Sequence, residues 1–187
     1  EAPDLGESVE KNYNPLIRNI MTMEKPVLCA VNGVAAGAGA SIALACDIVL
    51  AAKSAKFIQA FCKIGLVPDS GGTFNLVRAL GLPRAKALAL LGDKLSAEQA
   101  QNWGMIWQCV EDESLMDETM TLALHLATQP TKGLAKIKEL MNNSFSTPMH
   151  QQLELEKYAM RELGRTSDYR EGVSAFMEKR QPTFTGE

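Results

Sequence analysis

Metal-binding and redox-active residues are scarce in this chain: two histidines, His125 and His150, and four cysteines, Cys29, Cys46, Cys62 and Cys109, with no Cys-x-x-Cys pair. Zinc and iron–sulfur sites need ligands at short fixed spacings, so no metal centre is expected. The cysteines sit among apolar or small neighbours, which predicts buried, reduced thiols and a cytoplasmic setting. Long basic runs are missing too, and 19 Lys and Arg against 22 Asp and Glu leave a formal net charge of −3. That balance provides no footprint for nucleic acid and no basic face for a membrane, which points to a small-molecule partner. No Gly-x-Ser-x-Gly elbow supports a serine hydrolase. Residues Glu1 to Lys11 carry several acids and no apolar run behind a basic start, unlike a secretory signal. The most apolar stretch, Val27 to Ala52, is interrupted by Asn32-Gly33 and by Asp47. A carboxylate inside a bilayer is costly, so no membrane span is expected there.

What is present suits one globular body: 187 residues, 46% of them hydrophobic and 22% charged, with no internal repeat or obvious linker. Apolar residues at helical spacing predict a helix over 9–23, stopped by Lys25-Pro26, and residues 1–6 read as a loop. Strands are expected over 27–31 and 48–51 around a buried helix at 40–45, then a short extended piece at 56–59. Helices follow over 73–80, 83–91 and 96–103, with Pro83 in a first turn and Ser96-Ala-Glu-Gln99 as a capping box. A strand over 105–110 precedes helices over 114–127, 132–143, 149–163 and 168–179, the last capped by Asp168-Tyr-Arg-Glu171.

Two segments carry chemistry. In Asn32-Gly-Val-Ala-Ala-Gly-Ala-Gly-Ala-Ser41, small residues stand where strand becomes helix, so a ligand could approach the backbone and meet helix N-terminal N–H groups; the same glycines equally serve close helix-to-strand packing. In Gly65-Leu-Val-Pro-Asp-Ser-Gly-Gly72, Asp69 is either a reactive carboxylate or an ordinary turn and N-cap residue. Asp47 and Glu98 are the other candidate carboxylates, and both fit structural roles.

The segments Lys25-Pro-Val-Leu-Cys-Ala-Val-Asn-Gly33, Ala43-Leu-Ala-Cys-Asp-Ile48, Gly65-Leu-Val-Pro-Asp-Ser-Gly-Gly-Thr73, Leu95-Ser-Ala-Glu-Gln-Ala100 and Arg170-Glu-Gly-Val-Ser-Ala-Phe-Met-Glu-Lys179, in this order and spacing, resemble the enoyl-CoA hydratase/isomerase (crotonase) superfamily. The resemblance implies an α/β crotonase-like spiral of strand-strand-helix turns, with 1–110 as the remaining part of the core and 111–187 as a helical region that builds trimers, often paired into hexamers. It implies a coenzyme A thioester as substrate, with no separate cofactor. It also implies that the backbone N–H of Ala38, between Gly37 and Gly39, holds the thioester oxygen as it becomes an enolate. The family's first oxyanion donor belongs to a segment like Phe-x-Ala-Gly-x-Asp-Leu, which this sequence lacks. Together with a start at Glu1, that makes the chain read as N-terminally truncated.

Hydratases of the family use two glutamates at the positions held here by Ser41 and Phe61, so hydration is not expected. Several isomerases of the family place an acid at the position of Asp69, which stands between Pro68 and Ser70-Gly71-Gly72, and burial beside Phe61 is expected to make it a stronger base than free Asp. Segments such as Val67-Pro-Asp-Ser-Gly-Gly72 and Ser167-Asp-Tyr-Arg-Glu-Gly-Val-Ser174 resemble the family's phenylacetate-degradation branch. That branch converts a ring-1,2-epoxyphenylacetyl thioester to an oxepin thioester, and its relatives shift a double bond from the 3 to the 2 position. Phe176 and Lys179 match positions that meet the adenine end of coenzyme A from a neighbouring subunit; read from composition alone they are a core aromatic and a solvated lysine. The rivals are an Asp nucleophile (dehalogenase or thioesterase) and a non-catalytic CoA-binding or assembly subunit. RNA binding, known in the family, conflicts with the acidic balance.

Overall fold

Val49, Leu50, Ala51 and Ala52 form an unbroken buried run in β3 (Ile48–Ala52), as expected of a strand with partners on both edges and covered faces. Its neighbours are β1 (Leu28–Val31) and β6 (Gln108–Val110), both parallel to it, in a sheet of order β1-β3-β6. A second sheet contains β2 (Val34–Ala36), β4 (Lys56–Ile58) and β5 (Lys94–Ser96), in the order β2-β4-β5, with β5 antiparallel. Leu28 lies opposite Ile48 and Val34 opposite Lys56. β1 and β2 thus each pair with the strand one strand-strand-helix turn later in the chain, which makes the path a spiral, while β4 pairs with the next strand, β5. The computed structural model describes residues 3–187.

Helices complete the turns. Leu5–Asn12 forms α1 and Asn14–Thr22 forms α2; α3 is Ala38–Ala45, α4 is Gly72–Leu91 and α5 is Ala97–Asn102. In α3 the small apolar residues Ala40, Ala43 and Ala45 are buried along with Ser41, so α3 is an interior helix rather than an amphipathic one. Gly81 breaks α4 with φ 70° and ψ 163°, and Pro83 opens its second half, as the sequence leads one to expect. Ser96 caps α5 by accepting from the Gln99 N–H.

One compact unit comprises the chain up to Met21 together with Val27–Met120; a second comprises Thr22–Pro26 and Thr121–Glu187. Helix α6 (Leu115–Ala127) runs through the boundary, and α7 (Thr131–Asn143), α8 (Met149–Leu163) and α9 (Ser167–Glu178) lie within the second unit. No described helix is long and apolar enough to cross a membrane.

Several expectations need correction. The single helix over 9–23 is two, because Asp4 caps an earlier start through the Glu7 N–H and the chain breaks at Tyr13, ahead of Asn14-Pro15. Strands β2 and β5, three residues each, carry too little periodicity to stand out in sequence. The strand over 105–110 is shorter, since Met105 and Ile106 are buried in the bend before β6. Helix α9 is capped by Thr166, which accepts from the Tyr169 N–H, and not by Asp168 and Glu171. Those two acids hold the C-terminal tail instead: Asp168 accepts from the Thr185 and Gly186 N–H groups, and Glu171 pairs with both terminal nitrogens of Arg180 at 2.6 and 2.9 Å. The four cysteines are free and half-buried. Asp47 is exposed and its Oδ2 accepts from the Val27 N–H at 2.7 Å, which explains a carboxylate in so apolar a stretch. Glu98 is exposed and lies 3.9 Å from Lys53.

Candidate active site

Gly37 links β2 to α3 with φ 55° and ψ −123°, a conformation that side chains with a Cβ adopt only under strain. A Cβ at this position would face the Phe61 ring, whose Cζ lies 3.6 Å away. The Gly37 N–H donates to the Ile58 carbonyl at 2.8 Å and so continues the β2-β4 ladder. The next N–H belongs to Ala38, the first residue of α3, which has no intrahelical acceptor four residues back. Here the helix dipole adds its positive end, so the turn favours a developing negative charge. Phe61 belongs to a 3₁₀ turn, Ala60–Ile64, and is buried with its ring against Gly37.

The loop carrying Asp69 reaches this turn through Gly72. A Cβ on Gly72 would overlap Ser41 Oγ and come within 3.1 Å of Pro68 Cβ, so α4 can begin here only with glycine. Ser41 is 0% exposed; its hydroxyl packs under Gly72 and donates to the Gly37 carbonyl at 3.4 Å. Gly39 is exposed on the first turn of α3. The structure therefore sets Gly37 against Phe61 and Gly72 against Ser41 and Pro68, which joins the first turn of α3 to the loop that carries Asp69.

The Asp69 carbonyl accepts the Gly72 N–H at 2.8 Å and closes the turn. Its carboxylate takes no part in that turn. The N-cap of α4 is Gly71, with φ 74° and no side-chain cap bond, so Asp69 is not the cap that its composition suggests. Asp69 Oδ1 is buried and has no hydrogen-bond partner among the described residues. An unpaired buried acceptor costs free energy on the order of 1–3 kcal/mol, which points to use elsewhere. Ser70 follows with φ 51°, left-handed for a residue that has a Cβ, at a cost of roughly 1–2 kcal/mol. The rigid contacts around Gly72 hold that strain in place.

Sequence reasoning missed three residues here. Ile17 of α2 puts its Cγ2 3.6 Å from the Cβ position of Gly71, and Asn75 puts its Nδ2 3.3 Å from the same point. Ser70, 2% exposed, is the third. Helical periodicity marked Ile17 only as core, and nothing local distinguishes Asn75.

Phe176 and Lys179 belong to the second unit. Phe176 is 82% exposed, so it is no core aromatic. It borders a cavity of about 370 Å³ lined also by Tyr169, Val173, Phe184 and Lys132. Lys179 is exposed and ends α9 in the left-handed conformation, φ 56°.

The family model for enoyl-CoA hydratase/isomerase matches residues 2–187. The chain belongs to the enoyl-CoA hydratase/isomerase family. It is 60% identical over 185 residues to 1,2-epoxyphenylacetyl-CoA isomerase of Escherichia coli K12, covering 99% of this chain and 71% of that protein. It is 39% identical over 164 residues to the trans-2-decenoyl-acyl-carrier-protein isomerase of Streptococcus mutans, covering 88% of this chain and 62% of that one. The crystal structure of an enoyl-CoA hydratase from Polaromonas sp. JS666 superposes with a TM-score of 0.91 at 36% identity, over 99% of this chain and 72% of that one. Family members thus share the spiral and the helical region beyond it, while the chemistry named for each differs.

Proposed function

We propose that this member of the family is an acyl-CoA isomerase in which Asp69 is the single acid/base. Its carboxylate removes a proton from the carbon next to the thioester carbonyl. The resulting enolate oxygen accepts from the Ala38 N–H at the positive end of α3. Protonated Asp69 then returns the same proton further along the conjugated chain, so nothing is gained or lost overall. No electron acceptor and no metal enters such a sequence. The observation that carries the reading is the buried, unpartnered Asp69 Oδ1 in the loop that Gly72 packs against α3. Ser41 and Phe61, where the resemblance implies the two glutamates of hydratases, offer neither the base nor the acid that adding water requires.

The 60% identity to an enzyme named for 1,2-epoxyphenylacetyl-CoA supports a reading of the substrate. We take it to be the ring-1,2-epoxyphenylacetyl thioester, converted to its oxepin isomer, and/or a 3-enoyl-CoA converted to the 2-enoyl form. Either reaction moves one proton; oxepin formation also opens the carbon–carbon bond between the two epoxide carbons, whose electron pair joins the ring double bonds. Phe176 and Lys179 are read as meeting the adenine end of coenzyme A in a homotrimer or hexamer. The exposed Phe176, Val173 and Met177 of α9 and Leu153 and Met160 of α8 are apolar surface suited to such an assembly.

The test is solvent deuterium exchange at the substrate α-carbon, with the complete gene product and both thioesters. Asp69→Asn should abolish the exchange. Exchange at the wild-type rate would remove Asp69 from the mechanism, and a covalent acyl adduct on Asp69 in the mass spectrum would make it a nucleophile instead.

A further inference from the structure

Three buried side-chain atoms without a hydrogen-bond partner among the described residues fall within seven residues of one another: Asp69 Oδ1, Ser70 Oγ and Asn75 Nδ2. They are chemically complementary, one anionic acceptor and two donors. Three such atoms at one turn are unusual, because buried polar groups are almost always paired. Asn75 stands in the first full turn of α4, where a side chain leans back toward the helix N-terminus. That lean places its Nδ2 over Gly71, 3.3 Å from where a Cβ would stand. The missing side chain of Gly71 therefore leaves the amide room beside the residue two places after Asp69.

We propose that Asn75 is a positioning residue for Asp69: its amide N–H donates to Asp69 Oδ1 when an acyl thioester occupies the turn over Gly37, with the Ser70 hydroxyl as second donor. This inference rests on the proton-transfer reading above. Hydrogen bonds of catalytic groups are often open in the unliganded protein and tighten in the complex. The amide would occupy one oxygen of the carboxylate and leave the other for the substrate. Asparagine does not titrate, so it serves the base form at every pH.

The charged residues on the neighbouring elements make contacts of their own. Helix α3 contains no titratable residue. Lys63 of the 3₁₀ turn lies against Gly92, at the far end of α4. Arg18 of α2 is bonded to Glu10 at 2.9 Å, and Arg78 of α4 donates to the Phe74 carbonyl at 3.2 Å and lies over the Phe74 ring.

The experiment is the pH profile of kcat for α-proton exchange in the complete gene product, comparing wild type, Asn75→Leu, Asn75→Gln and Asp69→Asn. Leucine fills the space without a donor. A donor to the carboxylate favours its charged form, so losing it should move the acid limb up by about one pH unit and lower plateau kcat about tenfold, with KM changed less than about twofold. Asn75→Gln should restore the limb to its wild-type position. An unmoved limb in folded Asn75→Leu, or the same shift in the Leu and Gln variants, overturns the proposal. If Asn75→Leu does not fold, Asn75→Ala reads the same limb. Retained exchange in Asp69→Asn would instead overturn the role of Asp69 itself.

Discussion

Gly72 rests on the Ser41 hydroxyl so closely that no side chain fits between them. This contact joins the helix whose first N–H faces the proposed enolate to the loop that carries the proposed base. Gly72→Ala should force α4 away from α3 and destabilise the protein by about 1–3 kcal/mol, as overpacking of a filled interior does. Chemical denaturation should show the lower midpoint, and activity should fall in the fraction that remains folded.

Gly37→Ala should also destabilise, for a different reason. Space is adequate, since the Phe61 ring stands 3.6 Å from the new Cβ, but a φ of 55° with ψ of −123° strains any residue that has one. A loss of more than about 1 kcal/mol is expected. Adding Phe61→Leu should not recover it, because the strain is in the backbone. Denaturation of the single and double variants distinguishes the two causes.

Glu171 should make the C-terminal tail acid-sensitive. Its hydrogen bonds with Arg180, and then that from the Thr183 N–H, lower its pKa from 4.5 to about 2. The pKa falls on folding, so the stabilisation is complete above about pH 4.5 and is lost as pH drops through about 2. Amide protection of residues 183–187, taken relative to the intrinsic exchange rate at each pH, should be lost across that window. Arg180→Gln should abolish most of the dependence.

Asp168 is buried and accepts the Thr185 and Gly186 N–H groups at 2.8 and 3.0 Å. Asp168→Ala should release the tail, with amide exchange at these two positions rising roughly tenfold or more. Thermal unfolding monitored at the spiral should change little. An equal loss at both places would show that the tail bonds stabilise more than the tail.

Much of the spiral was legible beforehand. β1, α3 and β3 announce themselves because an apolar run broken by Asn32-Gly33 and Asp47 can be divided in few ways, and α8 has the bounds its periodicity predicts. Short elements were not legible. β2 and β5 exist because β4 lies between them and supplies hydrogen bonds to both, a condition set by residues far along the chain. The cap of α9 was misread for a related reason. Asp168 and Glu171 satisfy a local capping pattern, but the returning tail takes both carboxylates.

At the site, the amino-acid sequence by itself determined which chemistry is available: one carboxylate at residue 69, no glutamate at 41 or 61, and glycines at 37, 71 and 72. Tertiary structure decided whether that carboxylate serves its own turn. Residue type and neighbours make Asp69 a good cap, and only packing shows its Oδ1 buried and unclaimed, because a hydrogen bond depends on what the fold brings within about 3 Å and not on what stands next in the chain. The same is true of Asn75, whose place beside Gly71 follows from the start of α4 at Gly72 and has no signature in the sequence.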